Sequence, residues 1–154
     1  MASAQQFCTF LTDGQLYGTP VARVQEVIQH QVMTPVVMTP VPLAPEVVMG
    51  MLNLRGQIVC VIDLRRRLEL PERAADQTAM SVVVRTNQGT VSLLVDEIGD
   101  VLEVTNEALE RPPETLQGVA REVIERVYKL PDRLLLALDV NRVVEVGERS
   151  KPDD

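Results

Sequence analysis

The stretch MLNLRGQIVCVIDLRRRL, residues 51–68, has a pattern that predicts two strands, a turn and the start of a helix. Branched and apolar residues on both sides of NLRG (residues 53–56) predict β-strands joined by a tight turn. Asp63 follows the second strand and precedes LRRRL, which is the position of a helix N-cap. The polar residues of the turn either complete the turn or form a surface that a binding partner contacts.

The same pattern recurs in KLPDRLLLALDVNRVV, which begins at Lys129. Asp139 takes the place of Asp63 in this second copy and is a second predicted N-cap. The copies differ at the turn, where NLRG of the first copy is replaced by KLPD, an ordinary tight turn. Because either sequence would turn the chain, we predict that NLRG has a role beyond turning.

The N-terminal part of the chain is also repeated, so that two copies of one pattern lie about 75 residues apart. Asp13-Gly14 lies between apolar runs and predicts a hairpin, and Gln88-Gly89 matches it, with Gly14 aligned on Gly89. The next segments align as Val21, Val24, Glu26, Val27 and Ile28 on Val95, Ile98, Asp100, Val101 and Leu102. Neither copy alone can form much of a core. The duplication therefore predicts an all-β fold with short helices, built from two small barrels packed against each other.

Glycine and proline positions refine this prediction. Gly18 and Pro20 are expected to break the second strand of the first hairpin. The proline-rich segment 33–50 is expected to be an extended crossover that ends in a helical turn, APEVVMG, closed by its glycine. Residues 106–118 are expected to link elements in a similar way, and the tail 147–154 is expected to be disordered.

Composition favours one domain over residues 1–154, with a core from about residue 5 to residue 146. The chain is 45% hydrophobic and carries a net charge of −7, which disfavours nucleic-acid binding. The run Arg65–Arg67 is expected to form a solvated face with one or two ion pairs. Cys8 and Cys60 lie in apolar runs and are expected to be buried, reduced thiols of a cytosolic protein.

The sequence contains no recognisable catalytic or metal-binding motif. His30 is the single histidine and has no nucleophile motif near it. Asp96 and Glu97 are adjacent on a predicted strand, so they point to opposite faces and form no acid–base pair. We therefore expect no enzyme activity, no cofactor and no metal. The N-terminus lacks a signal-peptide pattern, and no apolar run approaches the about 18 residues of a membrane span.

Five stretches together resemble the CheW-like domain: VQEVI at 24–28, TPVPLAP, VMGMLNLRGQIVCVIDLRRRL, LLVDEIGDVLEV and RVYKLPDRLLLALDVNRVV. This domain occurs in bacterial chemotaxis coupling proteins and in the regulatory domain of their histidine kinases. The resemblance extends from about Gln5 to Val146. It implies two intertwined five-stranded SH3-like β-barrels, in agreement with the duplication.

The resemblance also implies a non-enzymatic adaptor that couples methyl-accepting chemoreceptors to a CheA-type histidine kinase. One barrel is expected to bind the kinase regulatory domain, and the groove between the barrels the cytoplasmic tip of the receptor. Such a protein is cytoplasmic, lies peripherally at receptor arrays, and neither inserts into the membrane nor binds nucleic acid. The strongest expected contacts are Glu26, Val27 and Arg55. The full expected protein-binding set is Val24, Glu26, Val27, Ile28, Asn53, Arg55, Gly56 and Asp63.

Two departures from the family pattern keep an alternative open. Cys60 stands where the family usually has proline, and the segment 33–45 is longer than the common pattern. The alternative is a divergent scaffold of a specialised motility or signalling system, which binds the kinase but not standard receptors.

Overall fold

The computed structural model describes residues 4–28, 47–74 and 76–145, which form two β-sheets with short helices. The strands are β1 (Ala4–Thr12), β2 (Gln15–Pro20), β3 (Val24–Ile28), β4 (Val48–Leu54), β5 (Gln57–Asp63), β6 (Met80–Thr86), β7 (Gly89–Val95), β8 (Glu97–Thr105), β9 (Leu109–Glu110), β10 (Ile124–Lys129) and β11 (Leu134–Leu138). The α-helices are α1 (Leu64–Arg67), α2 (Gly118–Val123) and α3 (Val140–Val143). In these ranges no helix is long and apolar enough to cross a membrane.

The strand order of the sheets confirms the predicted mainly-β duplication. One sheet has the order β8-β1-β2-β11-β10-β9, and the other has the order β3-β6-β7-β5-β4. Each sheet therefore combines strands of the first copy (β1–β5) with strands of the second (β6–β11). The six-stranded sheet exceeds the expected five strands because the two-residue strand β9 is added at its edge, beside β10.

The first hairpin of each copy, β1–β2 and β6–β7, can be superposed on the residue pairs that flank the turns. Thr12 pairs with Gln15 across the first turn, and Thr86 pairs with Gly89 across the second. Gly14 therefore corresponds to Gln88, and the predicted alignment of Gly14 on Gly89 was wrong by one position. The glycine of the second copy has a φ of 111° and begins its strand, whereas Gly14 lies inside the turn with a φ of 78°.

Strand β2 continues through Gly18, so the predicted break at this residue was wrong. Gly18 pairs with Thr9 on one side and with Ala137 on the other. A Cβ atom at this position would lie 3.0 Å from Cδ1 of the buried Leu135 and 3.3 Å from Cβ of Phe7. The glycine is thus explained by close packing within the sheet, and the strand ends only at Pro20.

The segment before NLRG also differs from the prediction. Strand β4 begins at Val48, and Gly50 lies inside it with a φ of 147°, so no helical turn ends at this glycine. The pairing with β5 shifts register between Val48 and Gly50, which is a β-bulge that accommodates the glycine. The expected crossover over 33–45, His30 and the tail 147–154 lie outside the described residues.

The larger apolar core is shared between both sheets. Phe10 of β1 and Leu138 of β11 are fully buried in the same cluster as Ile62 of β5 and Leu93 of β7. A smaller cluster, which includes Phe7 and Tyr128, is formed by residues of the six-stranded sheet alone. The shared core explains why neither copy is expected to be stable by itself.

Both predicted helix N-caps are confirmed. The Asp63 carboxylate accepts a hydrogen bond from the Arg65 backbone N–H, with an N···O distance of 3.0 Å. The Asp139 carboxylate accepts from the N–H groups of Asn141, at 3.0 Å, and Arg142, at 3.4 Å. The caps therefore begin α1 and α3 at equivalent positions of the two copies.

Two of the three arginines of the run Arg65–Arg67 are buried, so the predicted solvated face was wrong for them. Arg67 is 7% exposed and donates from Nε to the Val143 carbonyl, at 2.8 Å, and from Nη2 to the Arg142 carbonyl, at 2.9 Å. Carbonyls at a helix C-terminus lack helical partners, so a guanidinium satisfies them. Arg67 thereby joins α1 of the first copy to α3 of the second. Arg66 is the exposed member of the run, 3.7 Å from Glu72.

Asp96 is the centre of a partly buried ionic network between the sheets. Arg65 donates from Nη2 to one Asp96 carboxylate oxygen, at 2.6 Å, and from Nε to the other, at 2.9 Å. The same carboxylate also accepts a hydrogen bond from Arg73 Nε, at 3.0 Å, and one from the Asp13 backbone N–H, at 2.8 Å. Burial alone would raise the pKa of Asp96, but these donors, first among them Arg65, lower it to about 2.

Cys8 and Cys60 are free thiols that are only partly buried, so their predicted full burial was wrong. Cys60 lies opposite Met51 of β4, an edge strand that covers it incompletely. Cys8 lies between Thr19 and Val101, the latter on the edge strand β8. The partial burial of both thiols raises the pKa of each above its ordinary value.

Candidate functional site

The NLRG segment forms the tight turn between β4 and β5. Leu54 pairs with Gln57, which leaves Arg55 and Gly56 as the two turn residues, with φ angles of 51° and 90°. Two positive φ angles are typical of a type I′ turn, in which asparagine and glycine are favoured. The Asn53 side chain accepts a hydrogen bond from the Gly56 N–H at 2.8 Å and closes the turn.

Arg55 is therefore in a conformation that arginine does not favour, and its side chain is 70% exposed. Turn formation explains Asn53 and Gly56, but it does not explain an arginine at this position. The predicted role of NLRG beyond turning thus concentrates on one side chain.

Arg55 forms an ion pair with Glu26 of β3, so the structure brings together two of the three residues chosen as the strongest contacts. The Nη2 group of Arg55 donates to the Glu26 carboxylate, whose side chain is 22% exposed. Gln25 donates to the Gln57 side chain at 3.2 Å, beside this pair. Strand β3 and the β4–β5 hairpin lie at opposite ends of the strand order, so these contacts join the two edges of the five-stranded sheet.

The apolar residues of β3 have different environments. Val24 packs against the larger core, and Ile28 is half-buried. Val27 is 37% exposed and is the residue of this strand that offers an apolar surface. Because β3 is an edge strand, Val27 lies where a partner can approach.

Asp63 lies apart from the Glu26–Arg55 pair, on the inside of the fold. It is 7% exposed, caps α1 and faces Arg73 at 3.3 Å. Its inclusion among the partner contacts stays a prediction, while its capping and ionic contacts account for the residue structurally.

Sequence reasoning missed four exposed apolar residues, of which Leu109 of β9 is 44% exposed. Ile58 of β5 is 59% exposed and Met51 of β4 is 38% exposed, and both line a cavity of about 360 Å³. Val101 of β8 is 57% exposed. A signal for Val101 was present, because the duplication aligns it with Val27. No comparable signal marked Met51 and Ile58, because both belong to apolar runs that predict buried strands.

The chain matches the family model described as the CheW-like domain over residues 6–148. It is 31% identical over 153 residues to the chemotaxis protein CheW of Bacillus subtilis, covering 98% of this chain and 95% of the relative. It is 29% identical over 150 residues to the chemotaxis protein CheW of Klebsiella aerogenes, covering 97% and 87%. Among solved structures, the scaffolding protein TtCheW from Thermoanaerobacter tengcongensis superposes with a TM-score of 0.78 at 25% identity, covering 94% of each chain.

Proposed function

Because the chain belongs to the CheW-like domain family of chemotaxis scaffold proteins, we propose that it couples chemoreceptors to a CheA-type histidine kinase. In this proposal the protein is a non-enzymatic adaptor. It binds the regulatory domain of the kinase and the cytoplasmic tip of a methyl-accepting receptor, and it lies in the cytoplasm at receptor arrays through these two partners.

One observation carries the proposal. Arg55 is held in a positive-φ conformation at an exposed turn and is paired with Glu26 of β3, the edge strand at the other end of the strand order. An exposed ion pair adds little to stability, about 0–1 kcal/mol, so stability is a weak reason for this arrangement. A fixed guanidinium fork beside a carboxylate is instead well suited to recognise polar groups of a partner.

Val27 completes the proposed contact surface as its apolar member. Receptor tips are helical hairpins, and a helical partner is recognised by apolar anchors with a charged rim. Val27 provides an anchor, and Glu26 and Arg55 provide the rim. Each such contact is weak, and the many simultaneous contacts of an array supply the effective concentration that holds the assembly.

The test is a capture assay with two purified partners, a kinase regulatory domain and a receptor tip fragment from the same genome. The wild-type chain is expected to capture both. Arg55→Ala is expected to weaken capture of at least one partner about tenfold, because a polar contact at an interface is lost, while the melting temperature stays nearly unchanged. Capture of neither partner by the wild type would contradict the proposal. Capture of the kinase alone would instead identify the divergent scaffold.

A further inference from the structure

The two sheets can be compared residue by residue, because the edge strand β3 pairs with β6 in the same way as the edge strand β8 pairs with β1. Val27 pairs with Val82 on β6, and Val101 pairs with Cys8 on β1. The pairing of β3 with β6 shifts register between Val24 and Glu26, and the pairing of β8 with β1 shifts register between Ile98 and Val101. Glu26 of β3 therefore corresponds to Asp100 of β8.

The turns that face these strands also correspond. Asn53 pairs with Ile58 across the β4–β5 turn, and Lys129 pairs with Leu134 across the β10–β11 turn. When these two pairs are superposed, Arg55 corresponds to Pro131.

The contacts that join the edges of the five-stranded sheet are thus lost in the six-stranded sheet. The carboxylate is retained as Asp100, but the arginine that pairs with it is replaced by Pro131. The second contact is lost as well, since Gln25 corresponds to Gly99 and Gln57 to Arg133.

A cavity of about 360 Å³ lies where these contacts are missing. Its lining contains all three replaced positions, Gly99, Pro131 and Arg133, together with Asp100. The remaining lining is Thr9, Asp132 and the four leucines Leu11, Leu16, Leu102 and Leu130. The cavity therefore combines an apolar wall of four leucines with an exposed carboxylate.

The charges around the cavity favour a cation. Asp100 is exposed and makes no ion pair within the described residues. Arg133 is the one basic residue of the lining, and its Nε lies 3.7 Å from the Asp132 carboxylate. The lining has two carboxylates and one guanidinium, so it carries a net negative charge.

We propose that this cavity, the Asp100 cavity, binds an arginine side chain of a partner protein. The partner arginine supplies in trans the guanidinium that Arg55 supplies within the chain in the five-stranded sheet. Asp100 accepts the guanidinium, and Leu102 and Leu130 contact its aliphatic stem and an adjacent apolar residue of the partner. Arginine fits better than lysine, because its planar fork pairs with a carboxylate through two hydrogen bonds.

The probe for this site is the capped dipeptide acetyl-Leu-Arg-amide, and its neutral control is acetyl-Leu-citrulline-amide. Citrulline keeps the shape of arginine but lacks the positive charge. Binding is followed on the full chain by chemical-shift changes of backbone amides, with peptide added to millimolar concentration. The arginine peptide is expected to shift the amides of Gly99, Asp100, Leu102 and Asp132, and the citrulline peptide to bind about tenfold more weakly.

Two variants separate this site from general charge attraction. Asp100→Asn keeps the shape and is expected to weaken binding of the arginine peptide about tenfold. Glu103→Gln removes an exposed carboxylate of the same strand outside the lining, and is expected to change binding less than twofold. Equal binding of the two peptides, equal weakening by the two variants, or no shift at these amides would each overturn the proposal. The assay contains neither kinase nor receptor, so its result is independent of the proposed adaptor function.

Discussion

Replacing Asp96 with alanine is expected to lower the free energy of unfolding by about 3 kcal/mol, the lower end of the cost of breaking a buried ion pair from one side, because the network is partly buried. The Asp96 carboxylate accepts hydrogen bonds from Arg65, Arg73 and the backbone of Asp13, and the arginine and carboxylate side chains are 9–11% exposed. Without the carboxylate, the Arg65 guanidinium stays buried without its main counter-charge. Arg73 keeps Asp63, which limits the loss at that side.

Urea unfolding of Asp96→Ala measures this loss, and Glu97→Ala is the matched control. Glu97 is the next residue, is exposed and forms no ion pair within the described part of the chain. The control is expected to stay within about 0.5 kcal/mol of the wild type. Similar losses in both variants would contradict a special role for the partly buried network.

The lowered pKa of Asp96 also predicts how stability depends on pH. The ordinary pKa of 3.8 applies to the unfolded chain, and the folded value is about 2. Because the folded value is the lower one, the stabilisation is fully present above pH 3.8 and is lost as the pH falls towards 2. Asp96→Asn has no group to titrate, so its loss of stability over this range is expected to be smaller than that of the wild type.

Replacing Arg55 with glutamate is expected to weaken partner capture more than tenfold. A loss of this size is typical when a polar contact at the centre of an interface is removed. The new carboxylate repels Glu26 and cannot donate the hydrogen bonds of the guanidinium. Arg55 is 70% exposed, so the melting temperature is expected to change little. Arg121→Glu, at an exposed position of α2, makes the same charge change elsewhere and is expected to leave capture unchanged.

The double variant Glu26→Arg/Arg55→Glu distinguishes recognition from internal support. It restores an ion pair between the same two positions with the charges exchanged. If the pair only joins the sheet edges, the double variant recovers capture. Because we propose that each charge faces the partner, capture is expected to remain lost, and full recovery would assign the pair to the structure instead.

Local chemistry made part of the fold predictable from sequence. Asp63 and Asp139 stand directly before short helical segments, and a cap depends only on neighbouring residues. The Asp13-Gly14 turn was equally predictable, because its residues favour positive φ angles. The duplication extended these local signals to the whole chain, since each prediction in one copy was supported by its equivalent in the other.

Features that depend on distant contacts were not predictable. Arg65 and Arg67 were predicted to lie on the surface, because their partners are distant in the sequence. Arg65 binds Asp96, and Arg67 binds the end of α3. Gly18 read as a strand break, because nothing in its neighbourhood shows that Leu135 packs against it.

The candidate site was predicted as separate residues and not as an arrangement. Glu26 and Arg55 were chosen individually from the resemblance to the CheW-like domain. Their pairing depends on the approach of two sheet edges, and no local signal encodes this. The Asp100 cavity likewise became visible only when the register of the two sheets was compared.

A bridging assay tests whether one molecule of this chain couples the receptor to the kinase. A receptor tip fragment is immobilised, the kinase regulatory domain is added in solution, and capture of the kinase is measured with and without this chain. We expect kinase to be retained only when the chain is present, and Arg55→Glu to reduce the retained amount. Retention that does not depend on the chain, or no retention although the chain binds each partner alone, would contradict the claim that one molecule couples the two.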